Sequence, residues 1–527
     1  MAVYVNEVGY EKAGYKLANV VGADSIKLCD KDGNVIKEYS NLVYEMDILS
    51  CEETAIVDFS DFEEEGRYYF LDSNGLKSCE FTISTKPFKA MARDTLKMFY
   101  YQRCGCELEE KYAGMYKHKK CHTNMVRVLS NPDIQLECSG GWHDAGDYGR
   151  YATAGAVAVG HLLYAFLMNP HAFKEDINIP ESGNGIPDIL NECRYELDWL
   201  LKMQTENGGV YHKCTSMNHA PFYMPEEDNL QFYATPVSSM ATADFVAVCA
   251  LASRIYAEYD KDYSEKLKAA AVRADKWLMD NPGFIYINPV NCKTGEYGDF
   301  CDADERVWAA AEMYRLTRDE AYLTTIRRIT EMNVSLVSLG WMDVGGFATF
   351  CILTGEDIFP ERIKKRCMAL LKDEAQRLAR VAEDNMYMLA MHEHDFCWGS
   401  NLPVMTAAMN LLVADRVFGE FKYLAVSHLD YLLGRNAMDT SYVTGYGEHA
   451  FNNPHNRPTV CDGIDKSIPG FVSGGPNFDH CDVASKRDIK PGTAPMKSYT
   501  DDWESYSTNE ITIYWNSPMV FILSFFA

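Results

Sequence analysis

From Phe88 onward the chain is dominated by long segments whose apolar residues recur at helical spacing. Among them are IPDILNECRYELDWLLKMQ, TADFVAVCALASRIYAEY, SEKLKAAAVRADKWLM, RVWAAAEMYRLT, RIKKRCMALLKDEAQRLARVAE, NLPVMTAAMNLLVADRVF and KYLAVSHLDYLLGR. Such a segment gains most of its stability by burying its apolar face, so the segments must pack on one another. Many read in neighbouring pairs, and about ten to a dozen helices joined as hairpins in a ring would bury all those faces at once. Little strand signal accompanies them. Residues 1–85 have the opposite texture: KLANVV, SIKLCD, VIKEY, TAIVDF, GRYYFLD and CEFTIS follow one another with turn signals such as Lys31-Asp32-Gly33-Asn34 between them. Alternation with a period of two predicts a small all-β sandwich. The texture changes at Thr85-Lys86-Pro87, so the chain is read as a β module over 1–85 and an all-α domain over 88–527. A chain of 527 residues is in any case too long for one ordinary core.

Charge and composition narrow the function. With 76 acidic against 50 basic residues the formal charge is −26, a field that repels phosphate backbones and anionic membranes. Nucleic acid and membrane are therefore excluded as partners, and a neutral substrate suits the surface. No apolar stretch is long enough for a spanning helix, and nothing calls for an obligate protein partner. The 17 cysteines are scattered at irregular spacing, and the opening MAVYVNEVGYE carries no leader. The sequence as it stands is thus read as cytoplasmic, or as secreted if a leader has been removed.

Two segments concentrate chemistry. Gly140-Gly141-Trp142-His143-Asp144-Ala145-Gly146-Asp147-Tyr148 sets two carboxylates three residues apart on a glycine-rich loop. Such a pair can orient one water, one carboxylate taking its proton while the other fixes its position. A plain turn or a calcium loop accounts for Asp-x-x-Asp equally well. Near the C-terminus, Glu510 stands among Tyr506, Ile511, Ile513, Tyr514 and Trp515. Apolar company would keep it protonated as a general acid, and helix capping is the alternative. Cys104, Cys121, His122 and His143 supply two thiolates and two imidazoles, the donor set of a closed, structural zinc site, with Cys106 an alternative to Cys104.

GGWHDAGDYGRY, PESGNGIPDILNE, HDFCWGSN, YLLGRNAMDTSYVTGYG, NNPHNRPTVCDG, PGFVSGGPN and STNEITIYWN, in this order, resemble the signature segments of glycoside hydrolase family 9. That cellulase family is built on an (α/α)6 barrel, and the strands from VYVNEVGY onward are similar to the immunoglobulin-like module preceding the barrel in one of its branches. The resemblance covers nearly the whole chain. It implies an inverting hydrolase of β-1,4-glucosidic bonds in cellulose, cello-oligosaccharides or related β-glucans. Asp147 is then the general base, Asp144 its partner holding the water, and Glu510 the general acid. His455 and Arg457 match sugar-binding positions. Trp515 stands where other branches carry a tyrosine and is read as an aromatic wall for the sugar, or as core. The resemblance also places zinc on Cys104, Cys121, His122 and His143. Calcium is implied at Asp299, Asp304 and Glu305 with help from Asp343, and in a second place at Asp462 with the carbonyls of Thr459 and Ile464. Two other functions stay open: an exo-β-glucosaminidase of the same family, for which Glu226, Glu227 or Asp228 would pair the substrate ammonium, and a non-catalytic carbohydrate-binding protein. With no cellulose-binding module visible, soluble oligosaccharides are the expected substrate rather than crystalline cellulose.

Overall fold

The structure is a computed structural model that describes residues 2–332, 334–355 and 358–527. Its backbone forms two compact units. One comprises Met1–Met98, Glu374–Ile511 and Ile522–Ala527, the other Phe99–Asp373 and Thr512–Phe521.

In the first unit the N-terminal strands build two sheets. Ala2–Tyr4, Leu17–Val21, Glu52–Asp58 and Tyr44–Asp47 lie in that order, all antiparallel. Tyr10–Glu11, Phe81–Ser84, Gly66–Asp72, Ser25–Asp30 and Val35–Ser40 form the second sheet, antiparallel except for the first pair. The alternation seen in the sequence sends Val20, Ile26, Leu28, Ala55, Val57, Phe70, Phe81 and Ile83 into one core. Phe59 sits at its centre, edge-on to Tyr10 at 5.1 Å and to Phe70 at 5.2 Å, an arrangement aromatic quadrupoles favour. The expected turn forms where the Asp30 carboxylate accepts the amides of Asp32 and Asn34. The same unit holds the paired helices Asn401–Phe418 and Lys422–Leu432, followed by the long Gly- and Pro-rich loops of 433–505.

The second unit shows why the helices read in pairs. Ala152–Met168, Ser239–Tyr256, Ala303–Thr317 and Gly345–Thr354 pack consecutively on one another and are buried almost throughout. Asp188–Met203, Lys261–Asp280 and Glu320–Thr330 each pack against the first, second and third of these and keep one polar face in water. An inner layer apolar all round and an outer layer with a stripe is what two-layer helical packing demands. The starts are fixed locally: Ser238, Asp260 and Asp319 accept the amides of Ala241, Tyr263 and Ala321, caps worth about 1 kcal/mol each.

One expectation is corrected here. The helical region carries a five-stranded sheet, ordered Asn131–Leu136, Val126–Val128, Phe232–Ala234, Lys213–Ser216 and Arg150–Tyr151. Its strands run only two to six residues, and all but the hairpin Val126–Val128 with Asn131–Leu136 join partners farther along the chain, so little alternating pattern can develop. No helix among the described residues is long and apolar enough to cross a membrane.

Candidate active site and metal clusters

The Asp144–Asp147 loop is pinned at many points. Gly141 has φ +74, and a Cβ there would lie 2.8 Å from the Trp199 ring and 2.9 Å from Glu196 Oε2, so only glycine fits. Glu196 Oε2 accepts the Trp142 amide at 2.6 Å, and Gln102 Nε2 donates to the carbonyls of His143 and Ala145. The Asp144 carbonyl accepts the Ile513 amide at 2.8 Å.

The two carboxylates sit differently. Asp144 is 1% exposed; its Oδ2 accepts the Tyr297 hydroxyl at 2.6 Å, while Oδ1 has no partner among the described residues. Burial pushes its pKa up to about 8, Tyr297 opposing and the Asp147 charge adding to the rise. Asp147 instead meets His219, whose Nδ1 lies 3.1 Å from Oδ2 and whose ring is about half exposed. Adjacent carboxylates resist ionising together, and burial keeps the proton on Asp144. His219 and Tyr297 escaped the sequence reading. The short sheet explains the first: Arg150–Tyr151, just past Asp147, pairs with Lys213–Ser216, the strand leading to His219.

In the first unit, Glu510 follows the short helix Tyr506–Asn509 and is partly exposed. Its carbonyl accepts the Gly474 amide, the Asn509 carbonyl accepts the His455 amide, and His455 and Glu510 form a β-bridge. The structure brings His455 to the Glu510 segment. Arg457 is buried at the start of Arg457–Cys461, a turn capped by Asn456. Aromatic rings surround this place: Tyr506 lies 5.1 Å from Trp398 and 6.1 Å from His455, whose Nδ1 meets the Trp503 carbonyl at 2.6 Å. Trp398 and Trp503 are 51% and 38% exposed, open faces of the kind that stack on sugar rings. Neither was singled out, because exposure of an aromatic leaves no mark in the sequence. Trp515 is corrected in the opposite sense: at 3% exposure it has no ring face for a sugar, and the core reading replaces the wall.

The expected zinc ligands converge. Donor atoms of Cys104, Cys121, His122 and His143 all lie within 4.8 Å of one another. Cys106 is absent from the group. His122 Nε2 meets Asp228 Oδ2 at 3.2 Å, leaving Nδ1, 3.3 Å from His143 Nε2. That carboxylate–imidazole contact is the usual support of a metal-bound histidine. Two thiols and two imidazoles, with His143 2% and the cysteines at most 2% exposed, fit zinc in a closed tetrahedral site.

Asp299, Asp304 and Glu305 likewise converge. Asp343 stands beside them, since Val344 donates its amide to Asp304 Oδ2 at 2.7 Å and the Asp343 charge acts on Asp304. Asp244, from the inner helix Ser239–Tyr256, lies close enough for its charge to act on Glu305. Asp244 and Glu305 are 0% exposed, and none of their four carboxylate oxygens has a hydrogen-bond partner among the described residues. Burial and mutual repulsion drive both pKa values well above the carboxylate range, and burial lifts Asp304 to about 6. An oxygen-only donor set of this kind fits calcium, a hard cation. Asp462 joins no such group among the described residues, and its Oδ1 accepts the Ile464 amide at 2.8 Å.

Comparison with known proteins identifies the fold and the class. A family model described as glycosyl hydrolase family 9 matches residues 88–523, and one described as the cellulase N-terminal ig-like domain matches residues 1–78. The chain belongs to glycosyl hydrolase family 9. As a family 9 protein it is an inverting β-1,4-glucanase with an immunoglobulin-like sandwich ahead of an (α/α)6 barrel. It is similar to a cellodextrinase of Butyrivibrio fibrisolvens, 41% identical with 99% of each chain covered. A single mutant of a thermostable endoglucanase from Alicyclobacillus acidocaldarius superposes with a TM-score of 0.93 at 32% identity, covering 100% of this chain and 99% of that one. A Zn-binding triple mutant of a family 9 endoglucanase, J30, gives the same TM-score of 0.93 at 32% identity, with 98% and 99% covered.

Proposed function

We propose that this family 9 hydrolase cleaves soluble cello-oligosaccharides, with Asp147 as general base, Asp144 as the residue that positions the water and Glu510 as general acid. The observation that carries the reading is the unequal carboxylate pair: Asp147 against the His219 ring, Asp144 buried with one oxygen unpartnered and its pKa up to about 8. Ionised Asp147 takes a proton from water while protonated Asp144 and the Tyr297 hydroxyl fix that water's place. The water attacks the anomeric carbon, Glu510 delivers its proton to the departing oxygen, and configuration inverts. Each carboxyl ends with the charge of the other's start, and exchange with solvent resets them. Inversion needs acid and base about 6.5–9.5 Å apart. His455 and Arg457 would bind sugar hydroxyls, with Trp398 and Trp503 as stacking faces.

The 41% identity with a cellodextrinase over 99% of both chains supports short soluble substrates. The glucosaminidase reading is weaker, because Asp228 is engaged by His122, Tyr223 and the Leu230 amide and is not available for an ammonium group. The 17 cysteines, scattered at irregular spacing and mostly buried, favour a reducing compartment. Zinc on Cys104, Cys121, His122 and His143 would be structural, tying down the loop that continues from His143 into Asp144. Calcium would be held by Asp299, Asp304 and Glu305, with Asp244 and Asp343 nearby. The test is NMR of the first product released from cellotetraose. The α-anomer should form before mutarotation, and the Asp147→Asn protein should release none. Early β-anomer, or turnover by that variant, would overturn the assignment.

A further inference from the structure

A third cluster, unrelated to the carboxylate site, joins Glu7, Cys79, Asp439 and His449, all within the first unit. Glu7 lies between the first two strands, Cys79 just before Phe81–Ser84, and Asp439 and His449 in the loop after Lys422–Leu432. Their donor atoms all fall within 4.8 Å of one another. His449 Nδ1 is the hub, 3.2 Å from Asp439 Oδ2, 3.4 Å from Cys79 Sγ and 3.9 Å from Glu7 Oε1. Bonds of 2.0–2.3 Å to a tetrahedral ion would set its donors about 3.3–3.8 Å apart, close to this spacing.

A second observation points to a ligand. The Glu7 side chain is 0% exposed; Oε2 accepts the His449 amide at 2.7 Å, but Oε1 has no hydrogen-bond partner among the described residues, and neither has buried Asp439 Oδ1. The backbone is shaped to admit this carboxylate: Gly447 has φ +116, and a Cβ there would lie 2.6 Å from Glu7 Oε2. Nearby cations do not satisfy it, because Arg67 and Lys77 pair with Glu80. Burial raises Glu7 to about 7 and pushes Asp439 and the Cys79 thiol up as well, consistent with a counter-charge wanting. A cavity of about 650 Å³, lined by the four residues, opens the cluster to solvent.

We propose that Glu7, Cys79, Asp439 and His449 form a second zinc-class site, one that staples the β-sandwich to the loop carrying Asp439 and His449. One sulfur, one nitrogen and two carboxylate oxygens suit a borderline first-row divalent ion and disfavour calcium or magnesium. Binding deprotonates Cys79, the proton leaving to solvent, and places the imidazole proton on Nε2. The 3.1 Å contact of Nδ1 with the Asp439 carbonyl belongs to the competing, metal-free tautomer.

The test counts metal on the full chain. Protein stripped of metal and titrated with Co²⁺, then checked with Zn²⁺ by elemental analysis, should lose one equivalent in Cys79→Ser and in His449→Gln relative to wild type. Cys121→Ser should lose a different equivalent, so Cys79→Ser and Cys121→Ser together should lose both. The thiolate-to-cobalt absorption should shrink equally in Cys79→Ser and in His449→Gln, since neither keeps cobalt beside the sulfur of this site. His449 is about half exposed, so its variant should fold even if buried Cys79 tolerates no change. Wild-type stoichiometry in His449→Gln would reduce the cluster to a hydrogen-bonded histidine between two carboxylates. The comparison is a difference from wild type, so it does not depend on the hydrolase assignment or on occupancy at Cys104.

Discussion

Asp147 and Asp144 differ by what touches them, and single substitutions should expose the difference. Asp147→Asn and Glu510→Gln should each lower kcat by at least about 10³-fold while leaving oligosaccharide binding intact, since an amide of equal shape can neither take nor give the proton. His219→Gln should cost less, about 10-fold in kcat with little change in KM, because the ring orients the base without reacting. Steady-state kinetics on cellotetraose with a parallel binding isotherm separates the two effects, and an unchanged His219→Gln would dissociate His219 from Asp147. Asp144 and Asp147 were legible in the sequence because one short motif carries both. His219 and Tyr297 were not, for they reach those aspartates from 72 and 153 residues away, and no local pattern records such a meeting.

The same boundary separates legible from hidden elements. Helices with one apolar stripe, such as Asp188–Met203 and Lys261–Asp280, fall where the spacing placed them. Ala152–Met168 left no periodic trace, because an inner helix buried on every side has no polar face to set the rhythm. Its neighbour Ser239–Tyr256 carries Asp244, whose charge inside an apolar layer costs free energy that a proton or a cation would offset. With no cation, Asp244, Asp304 and Glu305 hold protons more tightly folded than unfolded. Their contribution is then full below the unfolded carboxylate range near about pH 4 and is lost as pH rises through about 6 for Asp304 and higher for the other two. Chelator-treated protein should therefore melt progressively earlier from about pH 5 to about pH 8. Added calcium should restore more stability at the higher pH, and less in Asp244→Asn. A melting curve indifferent to calcium at the higher pH would remove the site. For zinc, Cys121→Ser should release the metal measured by elemental analysis and lower Tm before activity falls, because His143, which would hold the metal, and Asp144 are adjacent.

At the scale of the whole molecule, the charge of −26 acts on any charged substrate before a site is reached. Carboxymethyl cellulose is a polyanion, so its approach is opposed by the protein's field, whereas a neutral cello-oligosaccharide feels almost none of it. Salt discriminates the two. The Debye length falls from about 30 Å at 0.01 M to about 8 Å at 0.15 M, which removes most of the repulsion between a surface and a chain still outside the cleft. The apparent KM for carboxymethyl cellulose should therefore fall several-fold over that range, with kcat nearly constant, while kcat/KM for cellotetraose stays within about twofold. Reducing-sugar assays on both substrates across a salt series at fixed pH measure this directly. Equal salt responses would mean that the surface charge is distributed away from the path of the substrate, and that the preference for neutral chains must come from contacts inside the cleft.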